Sequence, residues 1–181
     1  MTDEIARSDA VRRWRAAGEL GDPDSAADCL SLDVQLTSPL TGRFGFRGRD
    51  QVRVLLTAAF AVISEIRFHT ELGDSDTRAL FYRGRIGDQE LEEAQLLRLD
   101  ADGLIHEVTL FGRPLPALTG LMSTLGPELT KRQGNPALAA FIGASSKPLH
   151  AMTRLGDRRV VPLAAPTRAG GLNRRGRGMP Q

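Results

Sequence analysis

The chain has 181 residues, 41% of them apolar and 25% charged, with a formal net charge of +2. That balance fits a soluble domain with a sizeable core plus extensions. Met1 to Asp9 carries three acids and no apolar segment, and no run approaches the length of a membrane span, so a cytoplasmic protein is expected. The single cysteine, Cys29, excludes an internal disulfide and reads as a small buried hydrophobe. Charge is unevenly spread. From Lys131 onward ten Lys and Arg face one acid, Asp157, giving +9, while the rest has fourteen bases and twenty-one acids, giving −7.

In chain order, Asp3 to Leu20 has helical spacing, with Ile5, Val11, Trp14 and Ala17 on one stripe. Gly21-Asp22-Pro23 stops it, and Asp24-Ser25 is read as the cap of a short second helix running through Cys29. Leu32 to Ser38 alternates as a half-buried strand does. After a loop over Pro39 to Gly48, Gln51 to Ile63 is an apolar helix. Four strands follow: Glu65–Leu72, Thr77–Ile86, Leu91–Asp100 and Leu104–Phe111. Their separators, Gly73-Asp74, Gly87-Asp88 and Asp102-Gly103, are turn formers, and links this short make the strands antiparallel. Pro114 to Leu129 and Asn135 to Met152 are helical. Ala164 to Gln181, rich in Gly, Pro and Arg, reads as a disordered basic tail. The order predicts an α+β domain with helices covering one face of a bent sheet.

The loop before the third helix, Gly42-Arg-Phe-Gly-Phe-Arg-Gly48, has the look of a phosphate cradle. Its glycines fall three apart, matching neither G-x-G-x-x-G nor G-x-x-x-x-G-K-[ST], and no Lys follows to reach a phosphate. It reads as a connector that ends at Gly48, with Asp50 in the first helical turn and Phe44 and Phe46 folded over the core. No nucleotide is expected there.

Trp14…Gly21-Asp22, Ser38-Pro39 and Phe46-x-Gly48-x-Asp50 leading into a helix form one half of a larger pattern. Leu97-x-Leu99-Asp100-x-Asp102-Gly103-x-Ile105 and Arg113-Pro114 form the other. From about Asp3 to Leu129 the chain resembles the nuclear transport factor 2-like superfamily, in its polyketide-cyclase-like and ketosteroid-isomerase-like branch. The resemblance implies a cone, a curved antiparallel sheet wrapped around about three helices with a ligand cavity in its mouth. Homodimers through the outer sheet face are common in that superfamily. The cone domain is set at residues 1–130, a helical extension at 131–163 and the tail at 164–181.

Aligned with the isomerases it resembles, the chain has Trp14 in place of the tyrosine donor. Ser38 stands where the aspartate base would be, and Gln95 where the buried aspartic acid would be. Trp14 and Gln95 can still donate hydrogen bonds, but Ser38 has no histidine near it in sequence to make it a base. The epoxide hydrolase branch fits less well: Arg83-Gly84-Arg85 and Thr109-Leu110 do not supply its Arg–Asp–Asp set. Strand alternation groups Glu93 with Gln95 and Leu97, and Glu107 with Ile105, Thr109 and Phe111. If Gln95 points into the cone, Glu93 and Glu107 are the candidate acid–base groups, Glu107 preferred, because an apolar cavity raises a carboxyl pKa.

The first expectation is therefore a binder of a small apolar, polyketide- or terpenoid-like molecule, with Trp14, Ser38, Tyr82, Gln95, Thr109 and Phe111 as ligand contacts. The second is a lyase, isomerase or cyclase using Glu107 or Glu93. The third is a protein-interaction module. His69 and His106 are assigned to the outer sheet face; no cofactor or metal is expected. Arg168, Arg174, Arg175 and Arg177 read as a solvated end able to touch nucleic acid or another anionic surface, without an aromatic for base readout.

Overall fold

The computed structural model describes residues 2–166, and side chains from Asp9 to Pro166. Its elements are α1 (Thr2–Leu20), α2 (Pro23–Ala27), β1 (Leu30–Thr37), β2 (Phe46–Arg47), α3 (Arg49–Val62), β3 (Ser64–Gly73), β4 (Thr77–Ile86), β5 (Gln89–Leu99), β6 (Ile105–Arg113), α4 (Leu115–Arg132) and α5 (Pro136–Arg159). A 3-10 turn, Val161–Ala164, closes the described chain. The basic tail expected from Ala164 lies outside the described residues beyond Pro166.

The strands form one sheet in the order β2-β1-β6-β5-β4-β3. All neighbours are antiparallel except β1 and β6, which run parallel. The meander from β3 to β6 is the hairpin series the turn residues call for. Gly87, at φ 59°, sits in a two-residue link closed by the Ile86–Gln89 pair. At the β3–β4 turn a Cβ on Gly73 would lie 2.1 Å from the Thr77 carbonyl oxygen. The Asp74 carboxylate accepts from the Asp76 and Thr77 amides and holds that turn.

α1 buries Val11, Trp14 and Ala17 against the inner sheet face, the stripe its spacing predicts. Its polar side reaches the edge strand β3: Glu19 accepts from the Phe68 amide at 2.8 Å and Arg15 pairs with Glu71 at 2.9 Å. α2 is capped by Asp22 rather than Asp24, because Pro23 takes the first helical position and leaves the residue before it to receive the orphan amides. α3 turns its Val52, Leu55, Leu56 and Ala58 inward.

Two expected core positions face water. Leu32 is 77% exposed because the β1–β6 pairing shifts register between Leu30 and Gln35, so Leu30, Val34 and Leu36 carry the burial instead. Phe44 is 61% exposed, whereas Phe46, paired to β1 through β2, is buried. Cys29 is fully buried, and its thiol donates to the Ser25 carbonyl.

α4 crosses the inner side of the cone, touching α3 and strands β4 to β6, and α5 packs along it. Glycines let these two helices approach closely. A Cβ on Gly120 would meet the His150 ring at 3.1 Å, one on Gly126 would meet Ile142 at 3.1 Å, and one on Gly143 would meet Pro127 at 3.3 Å. Arg154 of α5 also pairs with Asp88 in the β4–β5 turn, at 2.5 Å. No helix among the described residues is long and apolar enough to cross a membrane.

Candidate functional site: an acid in an apolar cavity

The inner sheet face and the helices enclose a cavity. α1 supplies Trp14 and Gly18, and α3 supplies Leu55, Leu56, Ala59 and Phe60. The sheet adds Leu36, Ile66, Phe68, Tyr82 and Leu110, and α4 closes the wall with Leu121 and Leu125. Gly18 is needed for that shape, since a Cβ there would stand 3.2 Å from the Phe68 ring. The cavity has a volume of about 70 Å³. That is room for several waters or one compact organic molecule.

Polar groups in the wall are few and joined to one another. The Trp14 indole N–H donates to Gln95 Oε1 at 2.9 Å, and Gln95 Nε2 donates to Glu93 Oε1 at 3.3 Å. Tyr82 stands directly opposite Glu93 in the β4–β5 register, and its hydroxyl donates to the same carboxyl. The amide of Gln95 is therefore oriented by both neighbours, oxygen to the indole and nitrogen to the acid. Alternation explains the placement: Glu93, Gln95 and Leu97 are successive inward residues of β5, all buried.

Glu93 is 4% exposed. Burial pushes its carboxyl up from 4.5 to about 7, against the opposing pull of the Gln95 and Tyr82 donors. Burial likewise drives the Tyr82 hydroxyl well above its ordinary value, aided by the Glu93 charge and their shared hydrogen bond. Tyr82 thus stays a neutral donor at physiological pH. Glu93 is close to half protonated there, able to give a proton or take one.

Ser38 lies on the cavity wall, but its hydroxyl accepts from the Leu40 amide at 3.2 Å and shapes the loop after β1. Three expected site residues are elsewhere. Glu107, Thr109 and Phe111 face the outer side of the sheet. The β5–β6 pairing shifts register between Arg98 and Leu99, so Ile105 faces in and Val108 is the next residue to do so. One extra residue at His106 reverses the alternation from there on. Glu107 instead pairs with Arg98 at 3.4 Å, and Phe111 is 57% exposed. The residue that takes the inward place is Leu110, opposite Gln95. The cavity wall formed by Leu121 and Leu125 also went unnoticed in the sequence, although their i, i+4 spacing marks one helical face. His69 lies on the outer face, 3.7 Å from Glu92.

A curved sheet folded over helices, with an apolar hollow and a linked polar set on its inner face, defines a cone of the nuclear transport factor 2-like superfamily. The SnoaL-like domain model matches residues 11–108, more than half the chain, and the protein belongs to that family. Among curated proteins, none matches it. Of solved structures, a steroid delta-isomerase from Pseudomonas aeruginosa is 23% identical with a TM-score of 0.62, over 71% of this chain and 92% of the other. An uncharacterized bacterial protein with a cystatin-like fold from Silicibacter pomeroyi is 24% identical with a TM-score of 0.61, over 68% of this chain and 84% of the other. SalBIII, an epoxide hydrolase/cyclase-like enzyme of pyran ring formation in the polyether salinomycin, is 16% identical with a TM-score of 0.53, over 61% and 95%. At these identities the likeness concerns the fold.

Proposed function

We propose that the chain takes a compact, largely apolar molecule bearing a carbonyl or hydroxyl group into the cone and moves a proton on it through Glu93. The observation that carries this reading is a single carboxyl, buried in an apolar wall and held by Tyr82 and Gln95, with its pKa raised to about 7. An acid so poised takes a proton from a carbon beside a carbonyl when charged and returns it to another carbon when neutral. The solved relatives include an isomerase and a cyclase-like enzyme, which supports the isomerase, lyase or cyclase class for this chain. The cavity as closed suits a molecule of about one ring. A polyketide- or terpenoid-like ligand of several rings requires α4, with Leu121 and Leu125, to move outward.

The test uses 3-cyclohexenone, whose conversion to 2-cyclohexenone is followed by ultraviolet absorbance. The rate is expected to rise with pH through an apparent pKa near 7. It should fall at least ~100-fold in Glu93→Gln, the usual size of a lost general base. Turnover that survives in Glu93→Gln would overturn the reading. A second reading, a binder without turnover, is favoured by Ser38, whose hydroxyl caps its own loop where the isomerases carry a base. It predicts no conversion, with binding of the enone retained in Glu93→Gln by NMR shift perturbation.

A further inference from the structure

Helix α5 is apolar on two sides. One side, with Ala139, Ile142, Ser146 and Thr153, packs on α4. The opposite side carries Leu138, Phe141, Leu149, Met152 and Leu155, between 44% and 70% exposed. At 100° per residue these five fall within one stripe about a third of the helix circumference wide. The small residues Ala137, Ala144, Ser145, Pro148 and Ala151 extend it, and no charged side chain interrupts it before Arg159. Beyond the helix, Val160, Val161 and Leu163 are 60% to 83% exposed. So large a continuous exposed apolar patch marks a docking surface.

The charge around the patch selects its occupant. From Lys131 onward the sequence has ten Lys and Arg and one acid, Asp157. Lys147 and Arg158 flank the stripe, Arg159 ends it, and all three are exposed; Arg154 is turned back to Asp88, which Arg158 also approaches at 3.9 Å. A second copy would bring another +9 segment against this one, which like-charge repulsion opposes. Residues 167–181 are themselves basic and offer only Leu172 and Met179 as large apolar side chains, too few to cover the stripe. An apolar stripe rimmed by cations and followed by further basic residues fits a partner with a greasy interior and an anionic surface.

We propose that the outward face of α5, with the Val160–Leu163 segment, docks in the plane of an anionic lipid surface, Phe141, Met152 and Leu155 entering the acyl boundary and the basic residues meeting headgroups. Apolar insertion and charge together supply the two signals that stable interfacial binding needs. Because α4 lies between α5 and the cavity, docking sets the cavity's helical wall beside the bilayer. The proposal does not depend on the chemistry assigned to Glu93.

The experiment is co-sedimentation of the full chain with sucrose-loaded vesicles of phosphatidylcholine containing roughly one-third phosphatidylglycerol, against phosphatidylcholine alone. Expected are pelleting with the anionic vesicles, weaker pelleting at high salt, and at least a ~10-fold drop in partition for the double variant Phe141→Ser, Met152→Ser. Leu155→Ser, assayed separately, should give a smaller drop, and the far-UV circular dichroism of both variants should match the parent. Absence of pelleting would overturn the proposal. So would undiminished binding by the double variant, which would assign binding to the basic tail alone. A dimer in sedimentation velocity that the double variant converts to monomer, without vesicle binding, would give the face to a second copy instead.

Discussion

Glu92 and Glu93 are neighbours on one strand, and the two faces of the sheet treat them oppositely. On the outer face, the Arg113 guanidinium hydrogen-bonds to Glu92 and holds its carboxyl below the ordinary range, with Arg83 and His69 nearby. On the inner face, Glu93 has no cation within reach among its partners, and burial raises it to about 7. The difference is one of solvent and company rather than of residue type. The outer face is a lattice of compensated surface charges, Glu92 with Arg113 and Glu107 with Arg98 among them. The inner face is an apolar wall carrying one linked polar set.

That contrast can be broken most forcefully in the packing. Leu97 is fully buried on the inner face, while Leu96 beside it faces outward and is half-buried. Leu97→Ala is expected to destabilise the fold by about 3 kcal/mol, and Leu96→Ala by no more than about 1 kcal/mol, in urea denaturation. Equal losses would contradict the assignment of faces.

Next in size is the pH dependence of stability. The folded pKa of Glu93, about 7, lies above its ordinary 4.5, so the native state holds this proton more tightly than the unfolded chain. The resulting stabilisation is complete below pH 4.5 and is lost as pH rises through 7, a fall of ~3 kcal/mol. Glu92 has the opposite sign: its lowered pKa contributes stability above its ordinary 4.5 that is lost on acidification. Denaturation curves of Glu93→Gln should lack the decline between pH 5 and 7, while those of Glu92→Gln should keep it.

A smaller effect is expected from Trp14→Phe, which keeps most of the buried ring but removes the donor to Gln95 Oε1. The orphaned buried acceptor should cost about 1–3 kcal/mol. The smallest belongs to Glu107→Gln. It breaks a half-exposed pair with Arg98, worth less than about 1 kcal/mol, and leaves enone turnover unchanged.

Local spacing carried much of the fold. The turn pairs at Gly73, Gly87 and Gly103 announced the meander, and the stripe through Val11, Trp14 and Ala17 announced the buried face of α1. It also grouped Glu93 with Gln95, because β5 runs without a bulge from Gln89 to Arg98. Glu107, Thr109 and Phe111 were misplaced because the register shift beside His106 is set by how β6 meets β5. Pairing of that kind depends on residues far away in the chain, and alternation within one strand does not reveal it. Leu32 failed for the same reason, the β1–β6 shift being a property of two strands some seventy residues apart. The link from Trp14 through Gln95 to Glu93 was equally hidden, since it joins α1 to β5.

The proton of Glu93 is measured most directly by titrating the chain carrying ¹³C-labelled glutamate and following the chemical shift of the side-chain carboxyl. One resonance, absent in Glu93→Gln, is expected to titrate near pH 7. A Glu93 resonance titrating near its ordinary 4.5 would contradict it, showing a carboxyl in contact with water rather than sealed in the cone.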